Sequence, residues 1–399
     1  MVTPAPPAPI RVLLVEDSAV IRHVVAGALQ EEPDIVVAAT APNGRAALER
    51  LAGRLPDIVV LDIEMPELDG LGTLRELRPR WPDLPVVMYS TLTRRGATAT
   101  LDALSLGATD YVLKPSQLGD LDAARAAVRN ELAPVLRTWT SFHRARALRQ
   151  SEKPVPSPLG AGAAGTGAGG AAGPPSSSAP VAAPAARAGR PLAGGAATIP
   201  LDRVEAVVIG SSTGGPHALT ELLPVLPASL PVPVLVVQHM PPLFTRLLAE
   251  RLDAHSQLHV VEVAPGTALE AGTVYVAAGG THLVVRRAST EVVADFDDGP
   301  PENSCKPSVD VLFRSATAIW GGRVLAVVLT GMGQDGLLGA RELAAAGARV
   351  LAQDEASSVV WGMPGAVARA GLASALLPLA EIGPAIARSV GRNRAEIPA

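Results

Sequence analysis

A serine in a glycine-rich turn is the residue of this chain best placed to act as a nucleophile. Residues 207–216 read VVIGSSTGGP, so an apolar run ends at Gly210 and is followed by Ser211, Ser212 and a proline that can open a helix. A serine on such a strand-to-helix turn is exposed, and the flanking glycines let backbone donors approach a substrate. The turn therefore predicts a nucleophilic serine, which we assign to Ser212.

A histidine and an aspartate occupy similar positions after two other predicted strands. His239 lies in QHM at 238–240, and Asp335 lies in GMGQDG at 331–336. Because the carboxyl ends of parallel strands share one edge of a sheet, we expect both side chains to meet Ser212 there. His239 would take the proton of the serine hydroxyl, and Asp335 would orient the imidazole and stabilise its cation.

The same glycine-rich turns offer backbone donors for an oxyanion. One turn spans 213–215 and begins at Thr213, and the other spans 331–333 and contains Met332. Their N–H groups are candidates to stabilise the negative charge of an acyl-transfer intermediate. A helix that starts near Pro216 would add a favourable dipole.

Other interpretations of these turns stay open. Residues 210–214 fit G-x-S-x-G, but in α/β-hydrolases the histidine comes last, and this chain has no histidine after His282. The turn could cradle a phosphate, although neither of the common glycine-rich nucleotide motifs is present. His239 could simply cap a strand, and Asp335 could cap the helix that follows it, a role compatible with catalysis.

A second set of polar residues follows the strands of the N-terminal half. Glu16 and Asp17 come just after one predicted strand, Asp62 and Ser90 end two others, and Lys114 closes the last. Three carboxylates at one sheet edge suit Mg²⁺. Asp62 is placed to attack a phosphoryl group, with Lys114 and Mg²⁺ neutralising the product and Ser90 bonding a phosphoryl oxygen. The alternative is a solvated acidic loop beside a surface lysine.

Both halves of the chain alternate strand and helix signals. In the N-terminal half we predict a helix at 18–30 and strands at 11–15, 57–63, 85–90 and 111–115. In the C-terminal half we predict strands at 206–210, 233–238, 273–277, 325–330 and 349–353, an antiparallel excursion at 283–287 and 291–296, and helices near 218–226, 243–254, 308–319 and 336–346. This order predicts an α/β protein with two doubly wound parallel-sheet domains.

A segment with few large apolar side chains and only Arg187 and Arg190 as charged groups separates the two halves. Residues 154–199 are nearly all Ala, Gly, Pro, Ser and Thr, and a chain of 399 residues is long for one core. Such a composition predicts a flexible linker. We therefore predict a disordered N-terminus at 1–9, a first domain at 10–135, a helix end and linker at 136–200, and a second domain at 201–392.

Composition limits the partners and the compartment. A net charge of −4 gives no electrostatic case for nucleic-acid binding. The single cysteine, Cys305, cannot form an intramolecular disulfide or a cysteine-rich metal site, which fits a reducing compartment. The N-terminus does not read as a signal peptide and the apolar runs are of strand length, so we expect a cytoplasmic protein without membrane insertion.

The N-terminal half resembles the response-regulator receiver domain over about residues 10–135. The resemblance rests on VEDS, VLDIEMPELDG, YS and GATDYVLKP. It implies Mg²⁺-dependent phosphorylation by a histidine kinase, with Asp62 as phosphorylation site, Glu16 and Asp17 as acidic metal pair, Ser90 and Tyr111 as switch residues, and Lys114 as phosphate contact. Glu16 departs from the pattern, because many receivers have aspartate there.

The C-terminal half resembles the catalytic domain of the chemotaxis protein-glutamate methylesterase (CheB-type) family over about residues 203–390. The resemblance rests on IGSSTGGP, QHMPPLFTRLLAERLD, DDGPPENSCKPSVDVLF, LTGMGQDG and AQDEASSVVWGMPGA. It implies Ser212 as nucleophile, His239 as base, Asp335 as orienting acid and an N–H near Met332 as oxyanion donor. Ser211 stands where alanine is common, and Cys305 and Lys306 stand where His and Arg are frequent.

The resemblance also implies a substrate and a control. The substrate would be the glutamate methyl esters, and certain glutamines, of chemoreceptor cytoplasmic domains, hydrolysed without a cofactor. The unphosphorylated receiver would cover the Ser212 face, and phosphorylation would loosen it. Two alternatives stay open: a phosphorylation-controlled binding module without turnover, and the same esterase serving a receptor array outside chemotaxis.

Overall fold

The computed structural model describes residues 8–115, 120–151 and 204–391. The predicted linker at 154–199 lies outside the described residues, as do 1–7 of the predicted N-terminal tail. Residues 201–203 and 392 of the predicted second domain lie outside them as well. Each half contains its own parallel sheet, so the predicted fold class is confirmed.

The N-terminal domain is a five-stranded parallel sheet in the order β2-β1-β3-β4-β5. Its strands are β1 Ile10–Val15, β2 Ile35–Ala41, β3 Ile58–Asp62, β4 Val86–Ser90 and β5 Asp110–Leu113. Its helices are α1 Ala19–Gln30, α2 Gly44–Leu51, α3 Gly70–Leu77, α4 Arg94–Ser105, α5 Leu121–Ala127 and α6 Ala133–Ser151, the last two joined by a π-helical turn. Four of the strands were predicted, and β2 was not.

Polar caps fix where several of these helices begin. The side chains of Ser18, Asn43, Asp69, Thr93 and Asp120 accept hydrogen bonds from backbone N–H groups in the first turns of α1 to α5. These groups have no partner within a helix, so each cap sets the residue at which the chain leaves the sheet edge. The loops before the helices therefore hold the strand-end residues in place.

The C-terminal domain is built on a seven-stranded parallel sheet in the order β15-β14-β13-β6-β7-β10-β8. Its strands are β6 Ala206–Ser211, β7 Val234–Gln238, β8 His259–Glu262, β10 Thr273–Val276, β13 Val324–Val328, β14 Arg349–Gln353 and β15 Ala375–Leu377. Its helices are α7 Gly215–Leu222, α8 Phe244–His255, α9 Val309–Trp320, α10 Leu337–Ala345, α11 Met363–Arg369 and α12 Leu379–Gly391. A small antiparallel sheet joins β9 Thr267–Ala268, β11 His282–Ala288 and β12 Glu291–Asp297, which confirms the predicted excursion.

Helices cover both faces of the seven-stranded sheet. Along β6, Val207 and Ile209 pack into the apolar layer on one face, and Ala206 and Val208 pack into the layer on the other. A strand buried on both faces has no reason to alternate apolar with polar residues, which is why the central strands are continuous apolar runs. The ends of these runs place the site residues at one edge.

The two domains pack against each other through α4 and β5. Ala97 and Leu101 of α4 are buried in the same apolar cluster as the core of the C-terminal domain. Tyr111 of β5 stacks on Phe244 at the start of α8, with ring centroids 5.0 Å apart and planes 7° apart. Arg251 Nη2 lies 3.1 Å from Asp102 Oδ1. This contact brings the receiver-like half to the edge that carries Ser212.

Candidate active site

Ser212 lies at the point where the strand order of the large sheet reverses. Strand β6 is flanked by β7 on one side and by β13 on the other. Ligand sites of open α/β sheets form outside the carboxyl ends of the strands at such a switch point. The N–H of Ser212 donates to the carbonyl of Thr330 at 3.1 Å, and the N–H of His239 donates to that of Ser211 at 3.1 Å. Backbone hydrogen bonds thus join the carboxyl ends of β6, β7 and β13.

Glycines and one glutamine shape the turn that presents Ser212. Gly214 has a left-handed φ of 78°, and a Cβ there would lie 2.7 Å from the Val359 side chain. A Cβ at Gly215 would collide with Gln238. The Nε2 of Gln238 donates to the Ser212 carbonyl at 3.0 Å. Positions 214 and 215 therefore require glycine, and the buried Gln238 amide holds the turn through its hydrogen bond to Ser212.

The structure separates the roles of the two adjacent serines. Ser211 is fully buried, and its hydroxyl donates to Gln238 Oε1 at 2.8 Å. Ser212 is half-buried and lines a cleft of about 1010 Å³ together with His239. A hydroxyl bonded inside the protein is not available to a substrate, so the geometry supports Ser212 as the nucleophile.

Asp335 holds one nitrogen of the His239 ring. The Nε2 of His239 lies 2.8 Å from Asp335 Oδ2. The carboxylate also accepts hydrogen bonds from the Asn303 amide, the Ser308 hydroxyl, and the backbone N–H groups of Val309, Asp310 and Gly336. Burial opposes ionisation, but these donors and His239 outweigh it and lower the pKa of Asp335 to about 2. Asp335 is therefore an ionised anchor for the imidazole.

Asp335 caps a helix, as considered from the sequence, but the helix is α9 and not the one that follows Asp335 in the chain. Its carboxylate accepts from the first N–H groups of α9, at 2.7 Å for Val309 and 3.1 Å for Asp310. Helix α10, which follows Asp335 in sequence, begins after Gly336 without a side-chain cap. The positive end of α9 thus adds to the stabilisation of the Asp335 anion.

The bond to Asp335 leaves Nδ1 of His239 as the nitrogen that can act as base. Among the described residues, no hydrogen bond joins the Ser212 hydroxyl to His239, although both line the same cleft. The nearest polar partner of Nδ1 is instead Cys305 Sγ, at 3.5 Å. Burial disfavours the imidazolium, but Asp335 and Cys305 together raise the pKa of His239 to about 9. Catalytic contacts of this kind often tighten only when substrate is bound.

The two candidate oxyanion donors lie in the turns expected for them. In the part of the chain that the structure describes, the N–H groups of Thr213 and Met332 have no hydrogen-bond partner. The carbonyl of Thr213 accepts from the Thr330 hydroxyl at 2.9 Å, which joins the first turn to the end of β13. Two unpaired donors beside Ser212 are suited to a developing negative charge.

Sequence reasoning missed the residues that support Asp335 from the 303–310 loop. The Asn303 amide donates to Asp310 Oδ2 at 2.9 Å and to Asp335 Oδ1 at 3.1 Å. Burial and the charge of Asp335 raise the pKa of Asp310 to about 6. The available signal was the polar run NSCKPS between two apolar elements, which marks a loop without saying what it contacts.

The receiver-like half gathers its acidic residues as expected. One oxygen from each of Glu16, Asp17 and Asp62 lies within 4.8 Å of the others. Lys114 Nζ lies 2.9 Å from Glu16 Oε2 and 2.8 Å from Asp62 Oδ1. Burial and the neighbouring Asp62 charge raise the pKa of Glu16 to about 7. Among the described residues, the buried Asp62 Oδ2 has no hydrogen-bond partner. An oxygen-seeking divalent cation fits this surplus of carboxylate oxygens.

The two switch candidates lie on the side of the receiver that faces the other domain. Ser90 is fully buried, and its hydroxyl lies 2.8 Å from that of Thr100 on α4. The ring of Tyr111 stacks on that of Phe244 in the other domain. Ser90 is therefore linked to the interface through α4, and Tyr111 contacts the other domain directly.

Comparison with known proteins agrees with this division. Residues 207–386 match the family described as CheB methylesterase, and residues 12–126 match the response regulator receiver domain. A Nocardioides protein named protein-glutamate methylesterase/protein-glutamine glutaminase is 48% identical over 385 residues, covering 96% of this chain and 96% of that protein. The chain belongs to the CheB methylesterase family.

A further full-length relative and a solved catalytic domain are similar to this chain. A Caulobacter vibrioides protein-glutamate methylesterase/protein-glutamine glutaminase 2 is 46% identical over 94% of this chain and 98% of its own length. The crystal structure of the Thermotoga maritima CheB methylesterase catalytic domain is 41% identical, with a TM-score of 0.46, over 46% of this chain and 97% of that chain. Within the described residues, no helix has the length and apolarity needed to cross a membrane.

Proposed function

We propose that this CheB family member hydrolyses glutamate methyl esters on chemoreceptor cytoplasmic domains and deamidates certain glutamines there. The relatives' names supply this reaction class. The observation that carries the proposal is the 2.8 Å contact between His239 and the buried Asp335, beside the half-buried turn of Ser212. The product in both reactions is a glutamate carboxylate, and the pathway is adaptation in chemotaxis.

The first half-reaction forms an acyl-enzyme. Ser212 Oγ attacks the ester or amide carbonyl while Nδ1 of His239 takes its proton. The N–H groups of Thr213 and Met332 stabilise the oxyanion of the tetrahedral intermediate. His239 then gives the proton to the leaving oxygen or nitrogen, and methanol or ammonia departs. Asp335 stays ionised throughout and stabilises the imidazolium.

The second half-reaction uses the same groups in reverse. Water enters the cleft, Nδ1 of His239 takes one of its protons, and the hydroxide attacks the glutamyl ester of Ser212. The oxyanion forms at the same donors and collapses with return of the proton to Ser212 Oγ. No cofactor is needed for this reaction, because the base, the anchor and the oxyanion donors are all protein groups.

The receiver would control the esterase by limiting access of the substrate to the cleft that contains Ser212. Tyr111 stacks on Phe244, five residues after His239, and the cleft between the domains holds about 1010 Å³. That volume accommodates roughly two turns of a single helix about 10–12 Å across. A bundle of receptor helices needs more room, so the domains must separate before such a substrate reaches Ser212.

Phosphorylation of Asp62 is the proposed trigger for that separation. Glu16, Asp17 and Asp62 would hold Mg²⁺, which would offset the charge of the phosphoryl group. Lys114 would contact a phosphoryl oxygen, and Ser90 would turn toward another and leave Thr100. Because Thr100 is on α4, this rearrangement would shift the helix that packs against the C-terminal domain. The phosphodonor would be the histidine kinase of the same pathway.

Methanol release from methylated receptor cytoplasmic fragments tests the reaction. The wild-type chain should release methanol, the Ser212→Ala variant should release none above background, and Ser211→Ala serves as the matched control. Folded wild-type protein that releases no methanol, with or without a phosphodonor, would favour the binding module without turnover.

A further inference from the structure

Cys305 faces the nitrogen that the proposed mechanism uses as base. Its Sγ lies 3.5 Å from Nδ1 of His239, and it is the only cysteine of the chain. Both side chains are half-buried, so each is reachable from solvent. The structure thus places a thiol, rather than the Ser212 hydroxyl, at hydrogen-bonding distance from Nδ1 of the imidazole.

A tight turn fixes the position of the thiol. Glu302 and Cys305 exchange two backbone hydrogen bonds, of 3.1 and 2.9 Å. Asn303 and Ser304 between them have left-handed φ values of 52° and 62°. The turn is tied to α9 by an ion pair in which Arg314 Nη1 lies 2.7 Å from Glu302 Oε1. The thiol is therefore presented by a defined loop that is anchored on both sides.

The separation of the two donor atoms matches the bite of a tetrahedral zinc ion. Zinc binds histidine nitrogen at about 2.0–2.1 Å and cysteine sulfur at about 2.3 Å, so the two donors lie roughly 3.6 Å apart at a tetrahedral angle. The observed 3.5 Å needs almost no movement. One donor atom from each of His239, Cys305 and Asp335 lies within 4.8 Å of the other two.

Asp335 completes the arrangement from the far side of the ring. Histidines that bind metals usually donate their other ring N–H to a carboxylate, which fixes the tautomer and raises the basicity of the ligating nitrogen. Asp335 accepts from Nε2 at 2.8 Å and leaves Nδ1 to face the sulfur. The same contact that orients a catalytic base therefore also prepares a metal ligand.

We propose that His239 Nδ1 and Cys305 Sγ form a binding site for a thiophilic divalent cation, Zn²⁺, with water in the remaining positions. Binding releases the thiol proton and, where His239 is protonated, the Nδ1 proton to solvent, and it involves no redox change. The ion occupies the lone pair that would accept the Ser212 proton, so it inhibits the esterase. This inhibition rests on the proposed function, whereas the binding itself does not.

Cobalt substitution tests the binding without reference to activity. The full-length reduced protein is titrated with Co²⁺ in excess Mg²⁺, which occupies the receiver carboxylates and does not compete for a thiolate. A thiolate-to-cobalt charge-transfer absorption in the near ultraviolet can only come from Cys305, because the chain has no other cysteine. We expect this band in the wild type, and we expect Zn²⁺ to displace the Co²⁺ and abolish it.

Three variants make the test specific. Cys305→Ser and Cys305→Ala should lose the band and weaken Zn²⁺ binding by at least about tenfold, and His239→Gln should weaken it as well. His259→Gln is the matched control, since this histidine is exposed and bonded to Asp253, and it should keep the band. A wild type without a thiolate band at saturating Co²⁺, or Zn²⁺ affinity unchanged in the folded Cys305 variants, would overturn the proposal.

Inhibition of methanol release by Zn²⁺ is the second test of the proposed site. Zn²⁺ should inhibit methanol release by the wild type, and it should inhibit the Cys305→Ser variant at least about tenfold less potently. Equal inhibition of both would show that the ion acts elsewhere and would contradict the inhibitory site. A chain that shows the cobalt band but releases no methanol would retain the metal site and refute the esterase instead.

Discussion

The nitrogen of His239 that could act as the proposed base is Nδ1, because Asp335 accepts from Nε2 at 2.8 Å. A ring held in this way can take a proton only from the side on which Cys305 lies. The serine hydroxyl and the thiol therefore compete for the same lone pair. The acidity of His239 consequently depends on a residue outside the Ser-His-Asp set.

The pH profile of kcat/KM should report this dependence. The pKa of His239 is raised to about 9, so the neutral base is scarce at pH 7 and activity should rise as the pH approaches 9. Cys305 is one of the groups that raise this pKa, so Cys305→Ala should move the acidic limb of the profile to lower pH. Methanol release across pH 6–10 measures it, and a limb that stays fixed or moves upward in the variant would refute the coupling.

The two serines should differ sharply when each is replaced. Ser212→Ala removes the nucleophile and should reduce kcat by about 10⁴-fold or more. Ser211→Ala leaves Gln238 Oε1 without its buried donor and should cost about 1–3 kcal/mol of stability while most of the activity remains. Denaturant unfolding and methanol release on both variants check this, and loss of activity in a folded Ser211→Ala variant would reverse the assignment.

The sequence predicts where the catalytic side chains stand but not what surrounds them. Ser212, His239 and Asp335 each follow an apolar run, and parallel pairing of β6, β7 and β13 brings the run ends to one edge. Cys305 lies 66 residues from His239, and the loop that carries it has no periodic pattern. Its contact depends on the path of a long loop, which local propensity does not determine.

At the scale of elements, α4 connects the proposed switch residue Ser90 to the interface. Its buried Thr100 hydroxyl lies 2.8 Å from Ser90 Oγ, while Ala97 and Leu101 pack into the core of the other domain. A change in the Ser90 rotamer would therefore alter a contact of α4, the N-terminal helix that packs against the C-terminal domain. The sheet prediction is weaker at its margins, because the edge strands β2, β8 and β15 were not predicted. β8 and β15 are only four and three residues long, and the residues of β2 between its two buried ends are exposed or half-buried, so none of them forms a continuous buried run.

Thr100→Val should shift the receiver toward its released state. The substitution keeps the volume of the side chain but removes the hydrogen bond that holds Ser90 toward α4, worth about 0.5–1.5 kcal/mol. Basal methanol release without phosphodonor should therefore rise by about 2–12-fold. Thr98→Val is the matched control, since Thr98 is on the same helix but exposed, and it should leave the basal rate unchanged. Equal basal rates in wild type and Thr100→Val would argue against this route.

At the scale of the whole molecule, the two domains are held by aromatic stacking more than by charge. Tyr111 and Phe244 lie nearly parallel, whereas Arg251 and Asp102 form a partly exposed ion pair. Stacked rings contribute about 0.5–1.5 kcal/mol beyond the area that they bury, and exposed ion pairs contribute about 0–1 kcal/mol. The closed arrangement should therefore be far more sensitive to loss of the ring than to loss of the charge.

Tyr111→Ala and Arg251→Ala compare these two contributions directly. The first should raise basal methanol release by about tenfold or more, and the second by no more than about fivefold. Small-angle scattering should show expansion of the Tyr111→Ala protein without phosphodonor. A tyrosine variant that remains as compact and as inactive as the wild type would show that the stack does not hold the domains together.

At the centre of the proposed function is a Ser-His-Asp esterase site that the receiver covers and that phosphorylation of Asp62 exposes. The most direct measurement is methanol release from methylated receptor fragments by wild type and by Asp62→Asn, each with and without a small-molecule phosphodonor and Mg²⁺. We predict that the phosphodonor accelerates the wild type and leaves Asp62→Asn at its basal rate. Equal stimulation of both proteins, or no effect on a wild type shown to be phosphorylated, would contradict the account.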